Sequence, residues 1–145
     1  MDPQKDNLIS KSVLDEIGDY LFHGKIGIEK ESIRFDENGI SNIPHHQIFG
    51  SALCNRYITT DFSDAQLELI TPPIENFEDL HHFLENLHSY VNDGILDEYL
   101  WPFSMPFAYE SDNEIPIAYY GKSNQAEFKH SYRRGLANRL SLIHI

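Results

Sequence analysis

Two glutamates stand two residues apart in the stretch G-I-E-K-E-S-I-R-F, which spans Gly27–Phe35. Alternate residues of a β-strand share a face, so Glu29 and Glu31 point the same way, with Cα atoms about 6.5–7 Å apart. Ile33 and Phe35 continue that face. Like charges on one face of a strand repel each other. Either the acidic end of this strand is exposed to solvent, or a positive charge lies against it.

A second acidic pair follows further along the chain. Asp61 lies near the end of the candidate strand Arg56–Phe62, and Glu68 lies inside the next one, Gln66–Thr71. If these two strands form a hairpin in the same sheet as Gly27–Phe35, four carboxylates converge. Such a cluster repels strongly unless protons or cations compensate, and oxygen-only ligands suit Mg²⁺ or Mn²⁺. A wet end of a sheet and a divalent-metal site are both open interpretations.

Other chemistry has less support in the residue pattern. The phosphate-binding loop G-x-x-x-x-G-K-[ST] is absent from the sequence. Cys54 follows His45 and His46, but nothing places either imidazole beside the thiol, and we expect a small buried residue. Three further histidines lack the spacing of a ligand pair, and we expect them to be solvated or packed: His81, His82 and His88.

Basic residues collect in the last predicted helix of an otherwise acidic chain. They are five of only eleven: Lys122, Lys129, Arg133, Arg134 and Arg139. This local excess of positive charge favours a bound anion or carboxylate, with a charged surface helix as the alternative. Tyr132 beside Arg133 sets an aromatic wall next to a fork-shaped donor, which suits a small amino-acid substrate.

Both helices and strands are predicted to position these side chains. Apolar residues at helical spacing predict helices over Leu8–Phe22 and after the cap Asn76. A last helix is predicted from near Asn124, with Glu127 placed for a capping box.

Strands are predicted over three segments: Lys25–Phe35, Arg56–Phe62 and Gln66–Thr71. A short strand at Ile40–Ile43 closes a hairpin across an Asn-Gly turn, and His45–Gly50 is typical of a loop. Together the elements predict an α+β fold with antiparallel pairing.

The bulk composition narrows the function classes. The chain has 145 residues, which suggests one domain or a piece of one, and 41% of them are hydrophobic, enough for a core. Its formal net charge of -12 argues against nucleic acid and anionic lipid as partners. A single cysteine excludes an internal disulfide. With no apolar run long enough for a membrane span and no signal-peptide core, we expect a cytoplasmic protein.

Six stretches in order carry a family resemblance: G-I-E-K-E-S-I-R-F, G-S-A-L, Y-I-T-T-D-F-S-D-A-Q-L-E-L-I-T-P, L-W-P-F-S-M-P, Y-G-K-S-N and Y-R-R-G-L-A-N-R. In this order and spacing the chain resembles the N-terminal part of glutamate–cysteine ligases of the proteobacterial type, from about Leu8 to Arg139. No single stretch is decisive, and the six together are specific.

The resemblance implies part of a glutamine-synthetase-like curved antiparallel sheet, with helices outside and carboxylates lining the inside. It implies ATP-dependent ligation of the γ-carboxyl of L-glutamate to L-cysteine, through γ-glutamyl phosphate, giving γ-glutamylcysteine, ADP and phosphate. That reaction is the first step of glutathione synthesis. The implied cofactor is Mg²⁺ or Mn²⁺, and the implied partners are glutamate, cysteine and ATP, with a monomeric full-length protein.

The resemblance also implies roles for individual residues. It assigns the metal site to four carboxylates: Glu29, Glu31, Asp61 and Glu68. It assigns substrate contacts to three residues: Phe62 in the wall of the cysteine pocket, Tyr132 and Arg133. No catalytic residue is assigned within this chain. Lys30 stands where the family word G-[IL]-E-R-E usually has arginine, and because it points away from the carboxylates we expect little effect on the metals.

The end of the chain departs from the family pattern. Family members are several times longer and continue with a Tyr-Gly stretch and then H-Y-N-F-S, whereas this chain ends L-S-L-I-H-I. That hexapeptide matches the translation of a sequencing-adapter end, CTGTCTCTTATACACATC. We therefore expect residues 1–139 to be the N-terminal part of the catalytic domain and 140–145 a non-native tail. We also expect the isolated chain to be aggregated or partly molten and inactive as a ligase.

Three alternatives stay open on the residues alone. One is an acidic metal-binding module without chemistry, whose Mg²⁺ or Ca²⁺ affinity is indifferent to ATP. Another is a related carboxylate–amine ligase for a different amino acid. The third is a glycosidase that uses Glu68 with Glu29 or Glu31 as an acid/base pair, at the carboxyl separation of about 5–9.5 Å that such enzymes require.

Overall fold

The computed structural model describes residues 11–21, 23–109, 111 and 114–137. Its helices are α1 (Lys11–Leu21), α2 (His45–Phe49), α3 (Phe77–Gly94) and α4 (Asn124–Ala137). Its strands are β1 (Glu29–Asp36), β2 (Gly39–Ile40), β3 (Ile58–Thr60), β4 (Gln66–Ile70) and β5 (Tyr99–Leu100). The predicted helix start at Leu8, Arg139 and the hexapeptide 140–145 lie outside the described residues.

The strands form one five-stranded antiparallel sheet built around β1. The strand order is β2-β1-β4-β3, and β5 pairs with β1 off this path. The pairing of β1 with β4 extends from Glu29↔Ile70 to Ile33↔Gln66. The predicted α+β fold with antiparallel pairing is therefore confirmed.

The two faces of this sheet differ in what covers them. Leu67 and Leu69 of β4 and Ile58 of β3 pack into one apolar core with Val91 and Ile95 at the end of α3. Because successive strand residues alternate between faces, the remaining side chains of these strands point away from the helix. Glu29, Glu31 and Glu68 lie on that second face.

Helix α3 begins as the sequence predicts. The Asn76 side chain accepts hydrogen bonds from the backbone N–H groups of Glu78, at 2.7 Å, and Asp79, at 3.4 Å. These two bonds satisfy donors that a helix start leaves without partners. The cap fixes where α3 begins and so where its apolar stripe meets the sheet.

The capping box predicted for α4 is wrong by one residue. Ser123, and not Asn124, lies at the cap: its hydroxyl accepts from the Ala126 N–H at 3.2 Å, and its carbonyl accepts from the Glu127 N–H at 2.9 Å. With Ser123 as cap, Glu127 is the fourth helical residue and not the third. Its side chain is therefore out of register for a capping box.

The segment predicted as the loop His45–Gly50 contains the short helix α2 instead. Pro44 precedes it with φ near -60°, and Gly50 ends it with φ 76°. His45 and Phe49 are four residues apart, so one turn of helix buries both on the same side. This burial decides the conformation of a segment whose composition is that of a loop.

The first predicted hairpin is shorter than expected. Strand β2 covers Gly39–Ile40 only, in place of Ile40–Ile43, because Arg34 draws the following residues inward. Its guanidinium donates to the Ile43 carbonyl at 2.7 Å and to Ser41 Oγ at 3.3 Å.

Among the described residues, no helix combines the length and the apolar character needed to cross a bilayer.

Candidate metal centre

Three glutamates meet on the open face of the sheet. Glu31 of β1 is paired directly with Glu68 of β4, and Glu68 is paired on its other side with Thr59 of β3. Glu29, two residues before Glu31 on the same face, is diagonal to Glu68. Side chains in a direct cross-strand pair have Cβ atoms about 4.5–5.5 Å apart, and like charges there are destabilising. The strand register thus makes the three glutamates that the sequence singled out neighbours on one face of the sheet.

The electrostatics of Glu68 reflect this clustering. Burial raises the pKa of the Glu68 carboxyl above its ordinary value, and the negative charges of Glu29, Asp61 and Glu31 raise that pKa further. Arg133 acts in the opposite direction and lowers it. The three other predicted carboxylates therefore all act on Glu68, with one guanidinium as partial compensation.

Asp61 is held at the edge of this cluster by Arg133 from α4. Arg133 Nε donates to the Asp61 backbone carbonyl at 2.6 Å, and its Nη2 donates to Asp61 Oδ1 at 3.2 Å. The guanidinium carbon also lies 5.0 Å from the centroid of the Tyr120 ring, and the Tyr120 hydroxyl is 3.0 Å from the carbonyls of Thr60 and Asp61. Arg133 and Tyr120 together fix the end of β3 where Asp61 begins the turn.

Arg133 and its neighbour Tyr132 are placed differently. The Arg133 side chain is only 13% exposed and already has a protein partner, whereas Tyr132 is 59% exposed. The sequence predicted both as substrate contacts. That role stays a prediction for both residues. The structure adds a second role for Arg133, which is to orient Asp61.

Gln66 is a site residue that the sequence reasoning missed. Its Nε2 donates to Glu31 Oε2 at 2.6 Å, and Gln66 is almost fully buried. This bond orients the Glu31 carboxylate and engages one of its two oxygens. The signal was present in the sequence, because Gln66 lies two residues before Glu68 and so shares its face of β4.

A cavity of about 390 Å³ opens beside Glu31. Phe62 is buried in its wall, near Gln66. Much of the remaining lining is aromatic: Trp101, Phe103, Phe107 and Tyr109. An apolar pocket that meets a carboxylate cluster at one end suits a small substrate with an apolar part and a charged part.

A fully buried arginine supports the site from the opposite face of β1. Arg34 Nη1 donates to Glu98 Oε2 at 2.7 Å, and its Nη2 donates to the Asp64 carbonyl at 3.1 Å. Ser41 Oγ donates a short hydrogen bond to the other oxygen of Glu98. Because Asp64 lies in the turn that joins β3 to β4, Arg34 ties this turn to β1. The turn in turn sets the positions of Asp61 and Phe62.

Cys54 lies on the surface and not in the core. It lies in the turn 52–54 after α2 and is an exposed free cysteine, so the expectation of a buried small residue is wrong. The turn points the side chain outward, which the local composition does not indicate.

The donor set at the acidic face fits a hard divalent cation. On this face of β1, β3 and β4, carboxylates are the only charged side chains that could bind a metal ion. Mg²⁺ and Mn²⁺ prefer oxygen ligands. A bound cation would also relieve the repulsion in the direct Glu31–Glu68 pair. The predicted role of these residues as metal ligands stays a prediction that this geometry supports.

Comparison with known proteins gives the family. The family model described as glutamate-cysteine ligase matches residues 12–143. Over 114 residues the chain is 48% identical to the glutamate–cysteine ligase of Alcanivorax borkumensis and 46% identical to that of Buchnera aphidicola subsp. Acyrthosiphon pisum. Each alignment covers 78% of this chain and 22% of the relative.

A solved structure agrees with the sequence relatives. The fold is similar to that of a glutamate–cysteine ligase from Francisella tularensis in complex with AMP, with a TM-score of 0.75 and 36% identity. The likeness covers 81% of this chain and 24% of that one, so the chain spans about a quarter or less of its relatives' length. It confirms the prediction of part of a glutamine-synthetase-like α+β domain. The chain belongs to the glutamate–cysteine ligase family.

Proposed function

We propose that this chain supplies the metal-binding wall of an ATP-dependent ligase. That ligase joins the γ-carboxyl of L-glutamate to the amine of L-cysteine, through γ-glutamyl phosphate, with ADP and phosphate as the other products. The observation that carries the proposal is the direct pairing of Glu31 with Glu68 across β1 and β4, with Glu29 diagonal to them. Family membership and the AMP in the complex of the Francisella tularensis relative support a nucleotide substrate.

The carboxylates are the groups that hold the cofactor in this proposal. Glu29, Glu31 and Glu68 offer oxygen ligands from two neighbouring strands, which are rigid elements on which to fix ligand positions. Bound Mg²⁺ or Mn²⁺ supplies charge neutralisation and orientation at a transferring phosphoryl group. Gln66 fixes one oxygen of the Glu31 carboxylate and leaves the other for the cation, and Asp61 adds to the negative field that attracts the cation.

The remaining predicted residues bind and orient the substrates. Phe62 lies in the wall of the cavity beside Glu31, where an apolar surface suits the side chain of cysteine. Tyr132 presents an exposed ring on α4, next to the Arg133 that orients Asp61. A cytoplasmic location and a monomeric full-length protein are further parts of this proposal.

The reaction is tested by a chimera in which residues 12–137 replace the aligned segment of the Alcanivorax borkumensis relative. We expect ADP release that requires both glutamate and cysteine. Glu68→Gln in the chimera should lower kcat/KM by about two orders of magnitude or more, since a direct ligand of the metal is lost. Glu37→Gln, a charge-matched change in the exposed turn between β1 and β2, is the control and should leave the rate unchanged.

Two results would count against the proposal. One is a chimera that unfolds cooperatively but releases no ADP with glutamate and cysteine, and instead accepts another amino acid in place of one of them. That result indicates a related carboxylate–amine ligase. The other is full activity in Glu68→Gln, which removes the metal role of the paired glutamates.

A further inference from the structure

A second group of potential metal ligands lies on the outer helix, on the side of the sheet opposite the carboxylates. His81 Nδ1 lies 3.5 Å and His82 Nδ1 lies 3.2 Å from the same oxygen, Glu85 Oε2. One ligand atom from each of the three residues lies within 4.8 Å of the other two. All three side chains are more than half exposed, so an ion in solvent can reach them.

The spacing of these atoms matches a coordination polyhedron. Zn²⁺ binds imidazole nitrogen and carboxylate oxygen at about 2.0–2.2 Å, so the edges of its tetrahedron are about 3.3–3.5 Å. The two nitrogen–oxygen distances fall at or beside this value. Two of the three edges of one tetrahedral face therefore have the required length, and the third, between the two imidazole nitrogens, lies within 4.8 Å. A fourth position is left for water or for a ligand from another molecule.

The chemistry of this group differs from that of the sheet. Two imidazoles and one carboxylate favour Zn²⁺ and the transition ions near it in preference to Mg²⁺, which prefers oxygen ligands alone. Sequence spacing alone argued against a ligand pair, because His81 and His82 are adjacent. Glu85 changes that conclusion, since it is one helical turn away and both rings turn toward it.

We propose that His81, His82 and Glu85 form a surface site for Zn²⁺ or a similar divalent transition ion. The site is independent of the oxygen-only centre on the opposite face. It holds the ion through His81 Nδ1, His82 Nδ1 and Glu85 Oε2. Because its remaining position is open, the ion can also accept a ligand from a neighbouring molecule.

The test is Zn²⁺ titration by calorimetry of the chimera that carries residues 12–137 in the Alcanivorax borkumensis relative, in the presence of excess Mg²⁺ to occupy the oxygen-only centre. We expect saturable Zn²⁺ binding. His82→Ala should weaken it at least about tenfold, because even indirect support of a metal ligand is worth about 10–100-fold in affinity. Glu85→Gln should weaken it as well. His88→Ala, which removes another histidine from α3, is the matched control and should bind as the parent does.

Histidine NMR signals give an independent readout. We expect the imidazole signals of His81 and His82 to shift in step with the binding heat, and that of His88 to stay unchanged. The proposal is overturned by an absence of Zn²⁺ heat, or by equal affinity in His82→Ala and the parent. It is also overturned if His88→Ala weakens binding as much as His82→Ala, which would indicate that histidines of an unfolded chain bind the ion.

Discussion

Strand β1 holds charge in two opposite environments. Near its start, Glu29 and Glu31 lie exposed on the open face of the sheet and meet a third carboxylate, that of Glu68. Near its end, Arg34 is fully buried on the other face and pairs with Glu98, of which 3% is exposed. The first group is an accumulation of one sign with little compensation, whereas the second is a closed pair whose charges cancel.

The difference separates a structural use of charge from a functional one. A buried charge is tolerated only when it is paired and hydrogen-bonded, and Arg34 donates to Glu98, Ser41 and two backbone carbonyls. Within the part of the chain that the structure describes, the carboxylates have no such set of donors, apart from Gln66 and the more distant Arg133. Burial and then the neighbouring carboxylates raise the pKa of Glu68. The repulsion between these charges destabilises the folded chain without a cation, and a bound cation relieves it.

The largest effect is expected from opening the buried pair. Glu98→Gln leaves the Arg34 guanidinium buried without a counter-charge, and removal of one partner from a buried pair costs about 3–5 kcal/mol. We expect the free energy of unfolding, measured in urea, to fall by that amount. The double variant Arg34→Met/Glu98→Leu should recover much of the loss, because no charge is left buried. A loss below about 1 kcal/mol in the single variant would show that water reaches the pair.

A smaller effect is expected from acid, through His45 beside the buried pair. His45 is 1% exposed and its ring nitrogens have no partner among the described residues. Burial, followed by the charges of Arg34 and His46, lowers its pKa from 6.5 to about 4. The folded state therefore resists protonation, so stability is complete above pH 6.5 and is lost as the pH falls from 6.5 toward 4.

The difference between the folded and unfolded pKa of His45 corresponds to a loss of about 3 kcal/mol in the free energy of unfolding at pH 4 and below. Urea unfolding at a series of pH values should show that loss in the parent chain. His45→Phe keeps a ring of similar shape beside Phe49 and cannot be protonated, so its unfolding free energy should fall less between pH 6.5 and 4. Identical pH profiles of the two proteins would assign the loss to the carboxylates instead.

The smallest effect is expected at the open cluster, and its sign should depend on the metal. With EDTA present, Glu68→Gln removes a like-charge cross-strand pair, and we expect a gain of about 0.2–1 kcal/mol in the unfolding free energy. With saturating Mg²⁺ the same variant should be less stable than the parent, because it lacks the stabilisation that ligand binding gives. The unfolding midpoint in urea, measured in both buffers, checks this reversal. A variant that is less stable in both buffers would mean that Glu68 is a structural residue.

The sequence predicts the convergence of the acidic residues for simple reasons. The alternation of a strand puts Glu29 and Glu31 on one face, and the short turn at residues 63–65 returns the chain so that Glu68 faces them. The sequence does not show which residues hold these strands and turns in place beneath the acidic face. Arg34 occupies an alternating polar position that is typical of a surface, and only the tertiary contacts with Glu98 and the Asp64 carbonyl make it buried.

The errors elsewhere have the same origin. The segment His45–Phe49 has the composition of a loop, but the burial of its first and last residues favours a helical turn. Ser123 and Asn124 are both good caps, and the sequence alone does not choose between them. The proximity of His81 and His82 to Glu85 depends on side-chain rotamers, which spacing does not specify.

In the proposed function, Glu29, Glu31 and Glu68 together bind a divalent cation. Mn²⁺ binding measured by electron paramagnetic resonance tests this most directly, on the chimera that carries residues 12–137 in the Alcanivorax borkumensis relative, with its Glu68→Gln and Glu37→Gln variants beside it. We expect saturable Mn²⁺ binding that Mg²⁺ displaces, that weakens at least about tenfold in Glu68→Gln, and that is unchanged in Glu37→Gln. Equal affinity in the parent and Glu68→Gln would contradict it, because the paired glutamates would then be a solvated face of the sheet and not a metal centre.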